Sequence, residues 1–151
     1  MLRKVLIGLG VLLVAAQFVR PEQNLGARAG PNDINVRHPV PAAVRPLLEH
    51  ACYDCHSNHT DYPWYARVQP VAWWLDHHIR DAKRQLNFSE FGAYPAKRAA
   101  RKAEAIADEV EHHGMPLPSY TWMHPAARLT PAEIKLITDW ADQLGEQIDP
   151  P

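Results

Sequence analysis

Proline stands at fourteen of the 151 positions, twice as often as glycine, and this restricts the fold more than any other feature of the sequence. Proline cannot donate to a strand ladder and is tolerated mainly in connections and in the first turn of a helix. Extensive sheet is therefore excluded, and short helices joined by stiff segments remain. The stretches between prolines carry the matching period. Ala43, Val44, Leu47, Leu48 and Ala51 recur at helical spacing over residues 42–51, with Pro46 near the start. Val71, Leu75, Ile79, Ala82 and Leu86 repeat the pattern behind Pro70, and Asn87 with Glu90 resembles a cap for a further short turn. Over residues 96–113, Ala99, Ala103, Ile106 and Val110 share one face, with Gly114 expected as the left-handed stop. Thr130, Pro131 and Glu133 provide an N-cap, a proline at the first helical position and a capping-box acid. The helix they open carries Ile134, Ile137, Trp140, Ala141 and Leu144 inward and is expected to end at Gly145. Packing it on the helix before Cys52 would close an all-α domain.

The chain opens with Arg3 and Lys4 followed by an apolar run from Val5, so residues 1–20 are expected to act as an export signal or membrane anchor. About 20 residues are normally needed to span a bilayer, and this run is shorter. Retention as an anchor is the expectation, because an Ala-x-Ala cleavage pattern is absent and Phe18 and Arg20 suit an interface. Cleavage is the alternative. Positive charge ahead of the run places the rest of the chain outside the cytoplasm. Residues 21–41 mix Pro, Gly, Asn, Asp and Arg without a period and read as a linker, which leaves residues 42–148 as the folded domain. With 16 basic and 17 acidic side chains, nothing favours nucleic acid as a partner.

The two cysteines of the chain fall in one stretch, Cys52-Tyr53-Asp54-Cys55-His56. Two thiols one helical turn apart can each add to a vinyl group of haem, and the adjacent histidine then faces the iron. Covalent attachment would also hold the cofactor outside the cell. A zinc site needs four ligands, to which His50, His56 or His59 would have to contribute. A thioredoxin-like pair would need a preceding strand and a parallel sheet, which the helical pattern disfavours.

A second iron ligand is expected from Met115, held in Gly114-Met115-Pro116-Leu117-Pro118 where a helix stops and prolines fix the chain direction. Met115 could instead fill the core, and His77, His78, His112 and His113 compete with it as ligands. Trp64 and Trp122, each in a proline-rich loop, are candidate walls of the haem pocket. Met123 is expected to line it. Lys97, Arg98, Arg101 and Lys102 form a basic stripe that could meet haem propionates or an acidic partner, or be a solvated face.

The strings C-Y-D-C-H-S-N, Y-P-W-Y, P-V-A-W-W, L-N-F-S-E, G-M-P-L-P-S-Y and W-M-H-P-A-A-R-L-T-P-A-E together cover most of residues 42–145. In this the chain resembles the single-haem, haem-binding domain family of bacterial exported proteins. The resemblance implies a compact, cytochrome c-like helical fold around one covalent haem, with Cys52, Cys55 and His56 as its site and Met115 in the downstream loop. Leu117 stands where a second consecutive proline is common in the family. The function expected is single-electron transfer by haem iron between His56 and Met115, with a redox partner protein at the periplasmic side of the membrane. A peroxidase-like haem enzyme and a haem-based redox or ligand sensor are the alternatives.

Overall fold

The computed structural model describes residues 1–150 and, over that range, eight α-helices, three short 3-10 turns and no strand. The order is α1 (Leu2–Ala16), α2 (Ile34–Arg37), α3 (Arg45–Ala51), α4 (Tyr53–His56), α5 (Val71–Gln85), α6 (Ala96–Glu111), α7 (Pro118–Met123) and α8 (Pro131–Ile148). The all-α expectation holds. Pro46 and Pro131 act as foreseen and lie in the first turns of α3 and α8, where their missing N–H removes no helical bond; Pro118, expected in a loop, instead opens α7 in the same way. Thr130 and Glu133 form a complete capping box.

The centre of the domain is the pairing of α6 with α8. Ala99, Ala100, Ala103, Ile106, Ala107 and Val110 are buried on α6, and Ile137, Trp140, Ala141, Leu144 and Gly145 on α8. The alanines on one side and Gly145 on the other let the two backbones approach. A Cβ on Gly145 would lie 3.6 Å from the Ala100 carbonyl oxygen. Two expectations are corrected here. Helix α8 runs on to Ile148 because Gly145 sits inside the contact and is not a stop. Its principal partner is α6, while the helix before Cys52 adds Val44 and Leu48 to the same core.

The end of α6 also differs from expectation. The left-handed residue is His113, at φ 58°, so Gly114 is not the stop. Gly114 lies against the Glu109 side chain, and the Met115 N–H donates to the Glu109 carbonyl at 3.0 Å.

Residues 21–41 make specific contacts with the folded domain. Leu25 bridges antiparallel to His59, with Gly26 N–H on the Asn58 carbonyl at 2.7 Å and Thr60 N–H on the Asn24 carbonyl at 2.9 Å. A Cβ on Gly26 would lie 2.8 Å from that Asn58 oxygen, so glycine is required for the approach. Asp33 caps α2 by accepting from Asn35 N–H, and Ile34 is fully buried. A patternless segment can still contribute single anchors of this kind, which periodicity does not reveal. Among the described residues, no helix is long and apolar enough to cross a membrane.

Candidate haem-binding site

Cys52 ends α3 and opens α4, and its carbonyl accepts from the N–H groups of Cys55 at 3.2 Å and His56 at 2.9 Å. This single turn sets the two thiols and the imidazole on one side of the chain. The residues between the cysteines are fixed from elsewhere. Tyr53 stacks on Phe88 with ring centres 5.1 Å apart and accepts a hydrogen bond at 2.8 Å from Asn35. Asp54 accepts from the Tyr120 hydroxyl at 2.7 Å and from Asp61 N–H at 3.1 Å.

The stretch after the motif interlocks with Leu86 to Glu90. Asn58 N–H donates to the Ser89 hydroxyl at 3.0 Å, the Asn58 amide donates to Glu90 at 2.9 Å, and the Asn87 amide donates to Asn58 at 2.8 Å. Leu86 contributes the contact that matters most for ligation: its carbonyl lies 3.1 Å from His56 Nδ1. A carbonyl only accepts, so Nδ1 carries the proton and Nε2 keeps a free lone pair, the arrangement a metal-binding imidazole requires. Burial holds the His56 imidazole below its ordinary range, which keeps it neutral and available for ligation.

Cys52, Cys55, His56 and Met115 all line one cleft of about 370 Å³, a size in the range of small-molecule and cofactor sites. Ala82, Leu86 and Phe88 contribute apolar lining on the α5 side, and Ala105, Ile106 and Val110 line it from α6. Pro116, Leu117 and Tyr120 complete the lining next to Met115. The donor set thus suits a large flat apolar group carrying an iron atom: two thiols, one pinned imidazole and one thioether on mostly hydrocarbon walls. The other readings of the cysteines fit less well. Burial pushes the Cys52 thiol up to about 12 and the Cys55 thiol up to about 11, opposite to the depressed values of a thioredoxin-like pair. For zinc, the described residues contain no group of three or more His, Cys, Asp or Glu side chains able to hold a metal ion.

Trp64 and Trp122 are not brought to the cleft. Both are 75% exposed and neither lines it; the expected loops are a 3-10 turn at Trp64 and helix α7 at Trp122, which leave both rings outward, and Phe88 and Tyr120 take the aromatic places instead. Met123 also lies outside the cleft lining. The basic stripe divides: Lys102 lines the cleft, whereas Arg98 lies 4.9 Å over the Tyr94 ring. Of the competing histidines, His78 lines the cleft beside Asp81 and Gln85. Its Nδ1 faces the Trp74 carbonyl at 2.8 Å, which by the same argument as for His56 leaves Nε2 free. The signal for Phe88 and Tyr120 lay in the strings L-N-F-S-E and P-S-Y, whose partners are the motif residues Tyr53 and Asp54.

Fold and cleft together define a small all-helical domain with a cofactor-sized apolar cleft. A model of the haem-binding domain family matches residues 11–143, and the chain belongs to that family and binds haem. No match was found among curated proteins or among solved structures.

Proposed function

We propose that the protein is a single-haem cytochrome of the c type that carries single electrons on the periplasmic side of a bacterial inner membrane, anchored by residues 1–20. The observation that carries this reading is the convergence of Cys52, Cys55, His56 and Met115 on one apolar cleft, with His56 Nδ1 tied to the Leu86 carbonyl. Bound haem supplies a ferric/ferrous couple. The chain's own residues do the rest. Cys52 and Cys55 supply the thiols that would add to the two haem vinyl groups. His56 offers Nε2, and its bond to Leu86 fixes the ring plane and raises its basicity. The Tyr120–Asp54 hydrogen bond ties α7, which follows the Met115 loop, to the C-x-x-C-H turn and so holds the thioether in place. The apolar lining from Leu86, Phe88, Ile106 and Val110 restricts water and limits reorganisation on electron transfer.

Optical spectroscopy and potentiometry of the purified holoprotein test this reading. The ferric protein should show a methionine-to-iron charge-transfer band, and Met115→Ala should abolish that band and lower the potential. Tyr120→Phe should weaken the band while leaving haem content unchanged. A five-coordinate, high-spin resting spectrum would overturn His/Met ligation and favour a peroxidase-like site with an open sixth position.

A further inference from the structure

The end of α1 is latched to the folded domain by four hydrogen bonds. Gln69 N–H donates to Gln17 Oε1 at 3.0 Å, and Gln17 Nε2 donates back to the Gln69 carbonyl at 3.4 Å. Gln69 Nε2 and the Trp73 indole N–H both donate to the Val19 carbonyl, at 2.8 and 2.9 Å. Gln69 is buried, so the latch is part of the domain and not a surface accident. The apolar helix therefore leaves the domain in a fixed direction.

The 62–75 segment beside this exit has an unusual composition. From Tyr62 to Leu75 the chain carries one charge, Arg67, and no acid. Trp64 is 75% exposed, and Val68, Trp73 and Trp74 lie between 40 and 47%. Phe18, next to the latch, is 84% exposed. The Tyr65 hydroxyl meets His124 Nε2 at 3.3 Å, which sets the segment containing exposed Trp122 and Met123 beside the same region. Tryptophan and tyrosine with isolated arginine, and without acids, is the chemistry of the bilayer interface, where amphipathic rings sit at headgroup level and arginine extends toward water.

Length points the same way. Helix α1 has 15 residues, about 22 Å at 1.5 Å per residue, against a hydrocarbon core of about 30 Å. A short apolar helix draws its flanking residues toward the membrane. Here the flank is the latched tryptophan face.

We propose that the 64–74 segment is a membrane-docking surface, seated in the lipid interface by the short α1 helix through the Gln17–Gln69 and Val19–Trp73 latch. This rests on the reading of residues 1–20 as a retained anchor. The domain is held in one orientation against the bilayer, and its cleft is presented at a constant height to a membrane-bound redox partner.

The test places a benzoylphenylalanine photocrosslinker at Trp64 or Trp74, neither of which takes part in the latch, or at exposed Lys135 as a control. The full-length holoprotein is reconstituted in vesicles of phosphatidylcholine and phosphatidylglycerol, irradiated and weighed intact. Lipid adducts at positions 64 and 74 but not 135 are expected, with a severalfold loss of adduct when Gln17→Ala is added. An intact chain with no more lipid adduct at 64 and 74 than at 135 would overturn the docking surface. Undiminished adducts in Gln17→Ala would overturn the latch, and a membrane-extracted protein whose mass lacks residues 1–20 would overturn the anchor itself.

Discussion

Helix α6 buries six residues and α8 five, whereas α4 and α7 bury none and α5 only Ala72 and Ile79. The apolar face read from the sequence on α5 is real, yet Val71, Leu75, Ala82 and Leu86 are only half-buried, and Ala82 and Leu86 border the cleft. One side of the domain is thus completed by contacts between protein side chains. The other side leaves apolar surface for a cofactor to cover. At about 25 cal/mol per Å² of buried apolar area, a haem seated in the cleft as proposed would be a structural member of that side and would leave the α6–α8 side largely independent of it.

The comparison breaks most readily in the Cys52→Ser, Cys55→Ser chain after its haem has been stripped. Amide hydrogen exchange should be faster by orders of magnitude in α4 and α5 than in α6 and α8, and uniform protection would show that the two sides are not distinct. Next in size is Phe88, 1% exposed, which belongs to the core cluster and also lines the cleft. Phe88→Ala should cost about 3–5 kcal/mol in chemical unfolding and reduce haem retention as well. Two alanines on α6 then separate the sides within one helix. Ala103 is fully buried toward α8, and Ala105 is exposed at the cleft. Ala103→Leu should destabilise by about 1–3 kcal/mol through overpacking, while Ala105→Leu should leave unfolding unchanged and lower haem uptake.

The smallest effect concerns pH. His56 and His38 are both held below their ordinary value by burial, so as pH falls through about 6.5, the usual histidine value, the unfolded chain takes up more protons at these positions than the folded one. Stability of the haem-free chain should therefore fall below that pH. Urea midpoints measured on either side would show the drop, and a flat profile would place His56 in a solvated setting.

How much of this was legible in the sequence follows from the range of each signal. Capping and periodicity are local, and they located α5, α6 and α8 to within a few residues. The C-x-x-C-H string is local too, and it and the Met115 segment, marked by the prolines after it, do line one cleft. Trp64 and Trp122 were misplaced because the segments read as proline-rich loops fold as a 3-10 turn and helix α7, and composition does not say which way a side chain turns. Gly145 looked like a stop, since only the position of α6 reveals that its missing Cβ serves helix contact. The Leu86 carbonyl that pins His56 lies thirty residues along the chain. Backbone acceptors carry no sequence signature, and only the interlock of Asn58 with Asn87, Ser89 and Glu90 makes that contact visible.

The central claim is that Cys52, Cys55 and His56 form the attachment site of one covalent haem. Intact mass spectrometry of the denatured, acid-extracted holoprotein tests it most directly. One haem should remain on the chain and map to the peptide containing Cys52 and Cys55, and Cys52→Ser with Cys55→Ser should release it. A denatured wild-type chain at its bare mass, with all haem in the extract, would contradict the account.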